Sequence, residues 1–312
     1  MKAFYSFLFA LIILTSSITF AQTTAYDFLR VDISARAAAL GGSFVTNNDD
    51  IDVIFSNPAG MGFLEKNPVS FSFVKHLMDI NLFSVSFSTD IEDIGRFGSA
   101  IKYINYGTFD QADEFGNRTG EFNAGEMAFL IGYTNEFSEN FYYGANAELI
   151  YSSIADKSSS AVGVDLGINY EIPSEQINLA AAVLNLGTQL SEYINTKEDL
   201  PLDVVIGVSK RLERLPVRLS LDFHQLNKKR DDAIQHLKGF TVGAEFYLSK
   251  VFTLRFGYDN ERRADLKIGQ TSGIAGFNGG LGVKVAEYQF DYGYSSLGLV
   301  GAMHRVGVST TF

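Results

Sequence analysis

A two-residue alternation of apolar and polar side chains runs through most of this 312-residue chain and restricts its fold more than any other feature. Within residues 162–172 every second residue is apolar, and the residues between them are small or polar. The same alternation recurs over 141–152, 217–224, 240–248 and 288–295. Successive residues of a strand point to opposite faces, so each segment predicts a strand with one apolar face. Segments of about ten such residues are typical of transmembrane β-barrels.

A soluble β-sandwich is the alternative fold, because its strands alternate as well. Three features favour the barrel. The segments exceed the roughly 5–6 residues of ordinary strands. Aromatic residues such as Tyr151, Tyr170 and Tyr294 lie near the ends of apolar runs, where membrane interfaces are expected. The last strand ends on Phe312, which resembles the C-terminal assembly signal of bacterial outer-membrane proteins.

Fourteen alternating segments can be counted, an even number as in single-chain bacterial barrels. We predict strands over 68–76, 80–89, 96–106, 122–135, 140–153, 158–172, 176–187, 202–212, 215–226, 237–249, 251–259, 273–285, 287–295 and 301–312. Long polar connections at 107–121, 188–201, 227–236 and 260–272 alternate with short ones. The prediction is an all-β fold: a transmembrane antiparallel β-barrel over 67–312, with long outer loops and tight periplasmic turns.

Residues 1–21 have the pattern of a secretory signal peptide. Lys2 precedes an apolar run from Phe7 to Leu14, and small residues Thr19 and Ala21 precede a cleavage site. An uncleaved anchor helix is the alternative, but the run is short of the ~20 residues that a span needs. Export and a barrel together predict an integral protein of the bacterial outer membrane.

Residues 22–66 do not alternate and predict a separate N-terminal segment. Ser34 can cap a short helix over 35–40, and Gly41 can end it. The segment could be a disordered tail or a plug folded into the barrel lumen. The capped helix and the apolar run 53–55 favour the plug.

Composition and motifs predict neither an enzyme nor a cofactor or metal site. The net charge of −11 without a basic cluster argues against nucleic acid, and the chain has no Cys. Ser220, Asp222 and His224 share one strand face and suggest an esterase triad, but a hydrogen-bonded lumen network is favoured. The acidic run 47–52 is read as a turn instead of a Ca²⁺ loop. Inward charges are expected to pair around the plug; they are Glu148, Asp165, Glu171, Arg218, Asp222, Glu245, Arg255, Lys284, Asp291 and Arg305.

Two short motifs carry a family resemblance. The stretches 35–42 and 57–60 resemble the N-terminal hatch of FadL-like barrels, and more closely the PorV/PorQ family of Bacteroidota type IX secretion proteins. The stretches 103–107 and 113–117 resemble the PorQ branch. The resemblance implies a fourteen-stranded outer-membrane barrel with a plug that moves or anchors secreted cargo. It assigns the plug motif to Ser34, Arg36, Gly41, Gly42, Asn57, Pro58 and Gly60.

Two functions from different classes remain open. The first is docking of type IX secretion components or secreted cargo at the cell surface, by a barrel held in outer-membrane lipid. The second is a FadL-like channel for small hydrophobic solutes. The predicted lumen faces carry Gly, Ser, Asp and Glu. These residues leave little apolar surface for a hydrophobic ligand, so docking is favoured. The candidate partner-binding loop residues are Asp113, Glu114, Tyr193, Lys197, Lys229 and Arg230.

Overall fold

The computed structural model describes residues 25–228, 237–267, 271 and 273–312. In these ranges the chain forms one closed barrel of fourteen antiparallel strands, in which each strand pairs with its sequence neighbours and β14 pairs with β1. The strands are β1 Pro68–Lys75, β2 Asn81–Ile91, β3 Gly95–Ala112, β4 Arg118–Ser138, β5 Phe141–Ile154, β6 Lys157–Ile172, β7 Ile177–Ser191, β8 Asp203–Arg211, β9 Val217–Phe223, β10 Phe240–Tyr247, β11 Phe252–Asp259, β12 Phe277–Val285, β13 Tyr288–Ser296 and β14 Ala302–Thr311. The predicted fold class is confirmed.

The two ends of the barrel differ. The loop end carries the β1–β2, β3–β4, β5–β6, β7–β8, β9–β10, β11–β12 and β13–β14 connections, which include the long ones, and the turn end carries the remaining connections and the C-terminus. At the turn end, Asn67 and Phe312 exchange both backbone hydrogen bonds, of 3.2 and 3.3 Å. This exchange extends the β1–β14 ladder that closes the barrel.

The predicted loop over 107–121 is wrong, because β3 and β4 continue through it as a hairpin with its turn at 113–117. Asp113 Oδ1 accepts hydrogen bonds from the amides of Phe115 (2.9 Å) and Asn117 (2.8 Å), a turn that polar sequence alone does not separate from a loop. Stacking of Phe109 on Phe122, with ring centroids 5.3 Å apart, supports the pairing. The predicted loop 260–272 instead begins with a short helix, α2 (Asn260–Asp265).

Side chains outside and inside the barrel follow the alternation of the sequence. On β6, Val164 is 40% exposed on the outer face, whereas neighbouring Asp165 points inward and is 2% exposed. Large apolar side chains cover the outside of most strands, as in Phe71, Ile131, Leu149 and Phe256. Hydrocarbon is the environment in which such an exterior is stable.

The N-terminal segment, residues 25–67, lies inside the barrel. It contains 3-10 helices at Asp27–Arg30, Ile51–Phe55 and Pro58–Phe63 and helix α1 at Ala35–Ala39. Its side chains supply most of the buried apolar cluster, together with inward residues of β1 to β6. Within the described ranges, no helix combines the length and apolarity needed to cross a membrane. The predicted signal peptide lies outside the described residues.

Candidate functional site

Helix α1 is fixed against the wall by close backbone approach. Ser34 caps it, accepting the amide of Ala37 at 3.5 Å as the sequence predicts. Gly41 (φ +72°) and Gly42 (φ +85°) then turn the chain through the left-handed region that favours glycine. A Cβ on Gly41 would stand 2.8 Å from the backbone nitrogen of Tyr258 on β11, so only glycine allows this contact.

The second motif is a link between two parts of the segment and the wall. Asn57 Oδ1 accepts the amide of Ala59 and caps the 3-10 helix that Pro58 begins. Its Nδ2 donates to the carbonyls of Val45 (2.9 Å) and of Ile168 on β6 (3.1 Å). Gly60 packs where a Cβ would approach the carbonyl oxygen of Asn47 to 2.5 Å. The motif residues therefore fold and attach the segment.

Arg36 is the centre of a buried charge network. Its Nε and Nη2 donate to the two carboxylate oxygens of Glu245 on β10, at 2.8 and 3.0 Å. Its Nη1 lies 2.8 Å from Asp49 and 3.5 Å from Asp50. Arg255 on β11 also donates to Glu245, at 2.9 Å. Such mutual pairing offsets the cost of burying these charges.

The acidic run forms a turn that helps to hold the segment. Asp50 caps the 3-10 helix Ile51–Phe55 by accepting the amide of Asp52. Asp52 accepts hydrogen bonds from Ser70 on β1 (3.1 Å) and Ser86 on β2 (2.6 Å). Burial, reinforced by the neighbouring Asp52 carboxylate, raises the pKa of Asp50 to about 7. In the part of the chain that the structure describes, no cluster of three or more His, Cys, Asp or Glu could hold a metal ion.

A cavity of about 510 Å³ lies between the N-terminal segment and the barrel wall. It reaches the surface at the loop end, where exposed Asp265 borders it. The segment contributes apolar lining that the alternation of the strands did not predict. The apolar lining residues are Leu29, Val31, Ile33, Ala37, Val45 and Phe55 from the segment, and Ala128, Leu130, Leu184, Val205, Leu266, Leu297 and Met303 from the wall and its connections.

The suspected triad is a set of separate hydrogen bonds. Ser220 donates to the carbonyl of Ser43 at 3.4 Å, and Asp222 accepts the amide of Val45 at 3.0 Å. His224 Nδ1 instead lies 3.2 Å from Asp203 Oδ2, at the loop end. Burial lowers the pKa of His224, but the hydrogen bond and charge of Asp203 outweigh it and raise the pKa to about 9. A protonated His224 is not a base for a serine nucleophile.

The residues of the predicted partner-binding loops differ in how far they are exposed. Asp113 and Glu114 lie exposed at the tip of the β3–β4 hairpin. Tyr193 is half-buried, and its hydroxyl group forms a hydrogen bond with that of Ser152 on β5. Lys197 is exposed in the β7–β8 loop. Lys229 and Arg230 lie outside the described residues.

The fold and interior define a class: closed fourteen-stranded barrels whose N-terminal segment lies in the lumen. Several solved transporter structures are similar to this chain in fold. The toluene transporter TbuX of Ralstonia pickettii superposes with a TM-score of 0.61 at 12% identity, over 89% of this chain and 98% of that one. The toluene transporter TodX of Pseudomonas putida gives 0.59 at 13% identity, over 92% and 97%. A Pseudomonas aeruginosa FadL homologue gives 0.56 at 10% identity, over 89% and 98%.

Other comparisons bear on the predicted family. No protein-family model matches this sequence, and no curated protein matches it either. The similarity in structure agrees with the FadL-like part of the sequence resemblance at the level of fold. It lends no support to the type IX, PorV/PorQ part.

Proposed function

We propose that this protein is an outer-membrane channel that admits a small, partly hydrophobic solute. The observation that carries the proposal is the cavity of about 510 Å³ with apolar lining, reached from the loop end. Its volume falls in the range of small-molecule sites, roughly 300–1,000 Å³. The strand residues alone give the lumen little apolar surface, but the N-terminal segment adds apolar side chains to the cavity lining.

Attachment of the segment is compatible with passage. Around Arg36, Asp52 and Asn57 it is held by side-chain contacts and not by strand pairing with the wall. Such contacts can be exchanged singly, whereas a paired strand must separate along its length. Movement of the segment then connects the cavity to the turn end, which we assign to the periplasm.

Docking of secreted or secretion-system proteins is the second candidate, favoured by the β3–β4 hairpin. Pairing of β3 with β2 ends at Asn105, and pairing of β4 with β5 ends at Ala124. Beyond these residues the two strands pair only with each other, over a projection of roughly 20 Å. Phe115 at its tip is 81% exposed. A projecting ribbon with an aromatic tip is suited to contact a partner.

Three strains separate the two candidates. One lacks this protein, one carries the full chain, and one carries a chain whose β3–β4 hairpin is cut back to residues 107 and 123. Channel function predicts slower uptake of small aromatic solutes in the deletion strain and recovery with both chains. Docking predicts loss of surface-displayed cargo, with recovery only by the full chain. Normal solute uptake in the deletion strain contradicts the channel proposal.

A further inference from the structure

The cavity is strongly acidic. Nine carboxylates lie among its described lining residues, against four Lys or Arg side chains and the protonated His224. The acidic residues are Asp27, Asp32, Asp52, Glu148, Asp165, Asp203, Asp259, Glu261 and Asp265, and the basic ones are Arg30, Lys102, Lys228 and Arg262. A cleft of one predominant charge inside low-dielectric walls concentrates solutes of the opposite charge. The lining therefore favours cations over anions.

One carboxylate oxygen in this lining accepts no hydrogen bond from a nitrogen or hydroxyl donor of the described residues. It is Oε2 of Glu148, on the inward face of β5, and Glu148 is 4% exposed. The only side-chain partner of its carboxyl group among the described residues is a second carboxyl group, that of Asp165. Gly163 faces Glu148 across the β5–β6 ladder, and a Cβ there would stand 2.8 Å from Oε2, so only glycine lets this oxygen lie there. A buried carboxylate oxygen without a donor is costly unless a proton or a cation binds it.

Asp165 brings a second carboxylate to the same place. It is a diagonal neighbour of Glu148 on the lumen face, because Asn146 pairs with Asp165 and Glu148 pairs with Gly163. Its Oδ1 accepts the amide of Asn185 (2.8 Å) and its Oδ2 accepts Nδ2 of Asn146 (2.9 Å). These bonds hold Asp165 in place as a carboxylate acceptor. Two such groups are stable together only with a cation or a proton between them.

The nearest basic group is directed elsewhere. Lys102 Nζ donates to the carbonyls of Leu29 (2.9 Å) and Val31 (3.1 Å) of the N-terminal segment. Among the described residues it forms no ion pair with Glu148 or Asp165 within 4 Å. Leu130, which pairs directly with Glu148, lines the same cavity and offers an apolar surface beside the two carboxylates.

From this arrangement we propose that the cavity selects organic cations: small solutes with an apolar body and a protonated amine that binds at Glu148 and Asp165. The ammonium donates hydrogen bonds to Glu148 Oε2 and to the Asp165 carboxylate, and the apolar body packs against Leu130. The inference rests on the proposed channel function and deepens it by naming the class of solute.

The test uses three probes of similar size and different charge: phenethylammonium, 2-phenylethanol and 3-phenylpropanoate. Binding to the purified full chain is measured by calorimetry, and flux is measured in proteoliposomes. We expect phenethylammonium to bind most tightly and to cross fastest. Glu148→Gln should weaken its binding roughly ten- to a hundredfold, the usual effect of removing a charged hydrogen-bond partner, and leave 2-phenylethanol unchanged.

Two further variants make the result specific. Glu139→Gln removes the same charge at an exposed site between β4 and β5 and should change nothing. Glu148→Asp keeps the charge and should retain part of the binding. Heat-modifiability on gels shows that each variant has folded. Equal binding of the three probes, or unchanged binding of phenethylammonium by Glu148→Gln, overturns the proposal.

The outcomes also separate this inference from the proposed function. If all three probes cross at equal rates, the channel stands and the cation site is rejected. If phenethylammonium binds only when Glu148 is present but no probe crosses, the site stands and the channel function is rejected.

Discussion

At the scale of single residues, Arg36 is the contact that joins the N-terminal segment to the barrel. Its guanidinium bridges Glu245 of β10 and Asp49 of the segment, and Arg36 itself is buried. Removing Arg36 takes away one partner of a buried network in which Arg255 still pairs with Glu245. Together with Asp52 and Asn57, Arg36 therefore holds the segment against the wall.

We expect Arg36→Ala to lower the free energy of unfolding by about 1.5–3 kcal/mol, because Glu245 loses two charge-assisted hydrogen bonds while Arg255 still pairs with it. Urea unfolding of the refolded protein in detergent measures this change. Lys66→Ala is the matched control, since its pair with Glu287 is exposed and should contribute only about 0–1 kcal/mol. Equal losses in the two variants contradict the central role of Arg36.

A second residue-scale prediction concerns the outer face. Val164 lies midway along β6 and faces outward, so Val164→Arg should cost about 2–4 kcal/mol in a bilayer. Ser158→Arg near the loop end of the same strand should cost about 0–1 kcal/mol. Folding yield in liposomes measures both. Similar yields for the two variants would show that Val164 does not face hydrocarbon.

His224 gives a pH-dependent prediction. Its pKa in the folded protein, about 9, lies above the ordinary value of 6.5, so the pair with Asp203 contributes its full stability below pH 6.5. This contribution is lost as the pH rises through about 9. The difference in unfolding midpoint between the native protein and His224→Gln should therefore be large at pH 6 and shrink by pH 10. A difference that is constant over this range would contradict the ion pair.

At the scale of elements, closure of the sheet depends on the last strand. Phe312 extends the β14–β1 ladder by its backbone bonds to Asn67, and its ring is exposed at the turn end. Closure removes the unpaired edges that lipid cannot satisfy. The C-terminal residue therefore belongs to the element that completes the barrel.

Deletion of Phe312 should lower insertion into the outer membrane without affecting export, because one end of the closing ladder is lost. The measurement is the amount of heat-modifiable protein in isolated outer membranes. Phe115→Ala, which removes an aromatic ring from the exposed hairpin tip, should leave that amount unchanged. Normal insertion after the deletion would show that the ladder closes without Phe312.

At the scale of the whole molecule, the N-terminal segment determines how much of the lumen is open. It packs against inward residues of β1 to β6, its helix α1 lies against β11 to β14, and the cavity remains towards the loop end. A barrel with this strand number has a lumen wide enough to conduct when it is empty. Conductance therefore reports whether the segment acts as a plug.

The intact protein should conduct poorly in planar bilayers, and deletion of residues 25–66 should produce larger openings. Arg36→Ala, which keeps the complete chain, should give brief openings by loosening the segment. If the shortened barrel does not fold, the conductance of Arg36→Ala still tests whether the segment closes the lumen. A large, steady conductance of the intact protein would show that the segment does not close the lumen.

The strands, their number and their two faces could be predicted from local sequence patterns. Alternation such as that around Val164 and Asp165 fixes the inward and outward directions, because the side-chain period of a strand is two. Ser34 and Gly41 also predicted the ends of α1, because capping is a local interaction. The polar composition at 107–121 predicted a loop where the structure has a hairpin. The Asp113 turn and the stacking of Phe109 on Phe122 depend on pairing across that hairpin, which composition does not indicate.

The contents of the interior depend on contacts between residues that are distant in the sequence. Arg36 and Glu245 are 209 residues apart, and no local pattern indicates that they meet. Leu29 and Ile33 line the cavity because the folded segment lies in the lumen, and the alternation of the strands does not indicate this. The position of Glu148 Oε2 likewise depends on Gly163 of the next strand, where a Cβ would stand 2.8 Å from this oxygen. Alternation is a property of neighbouring residues, whereas a cavity is formed by side chains that only the closed barrel brings together.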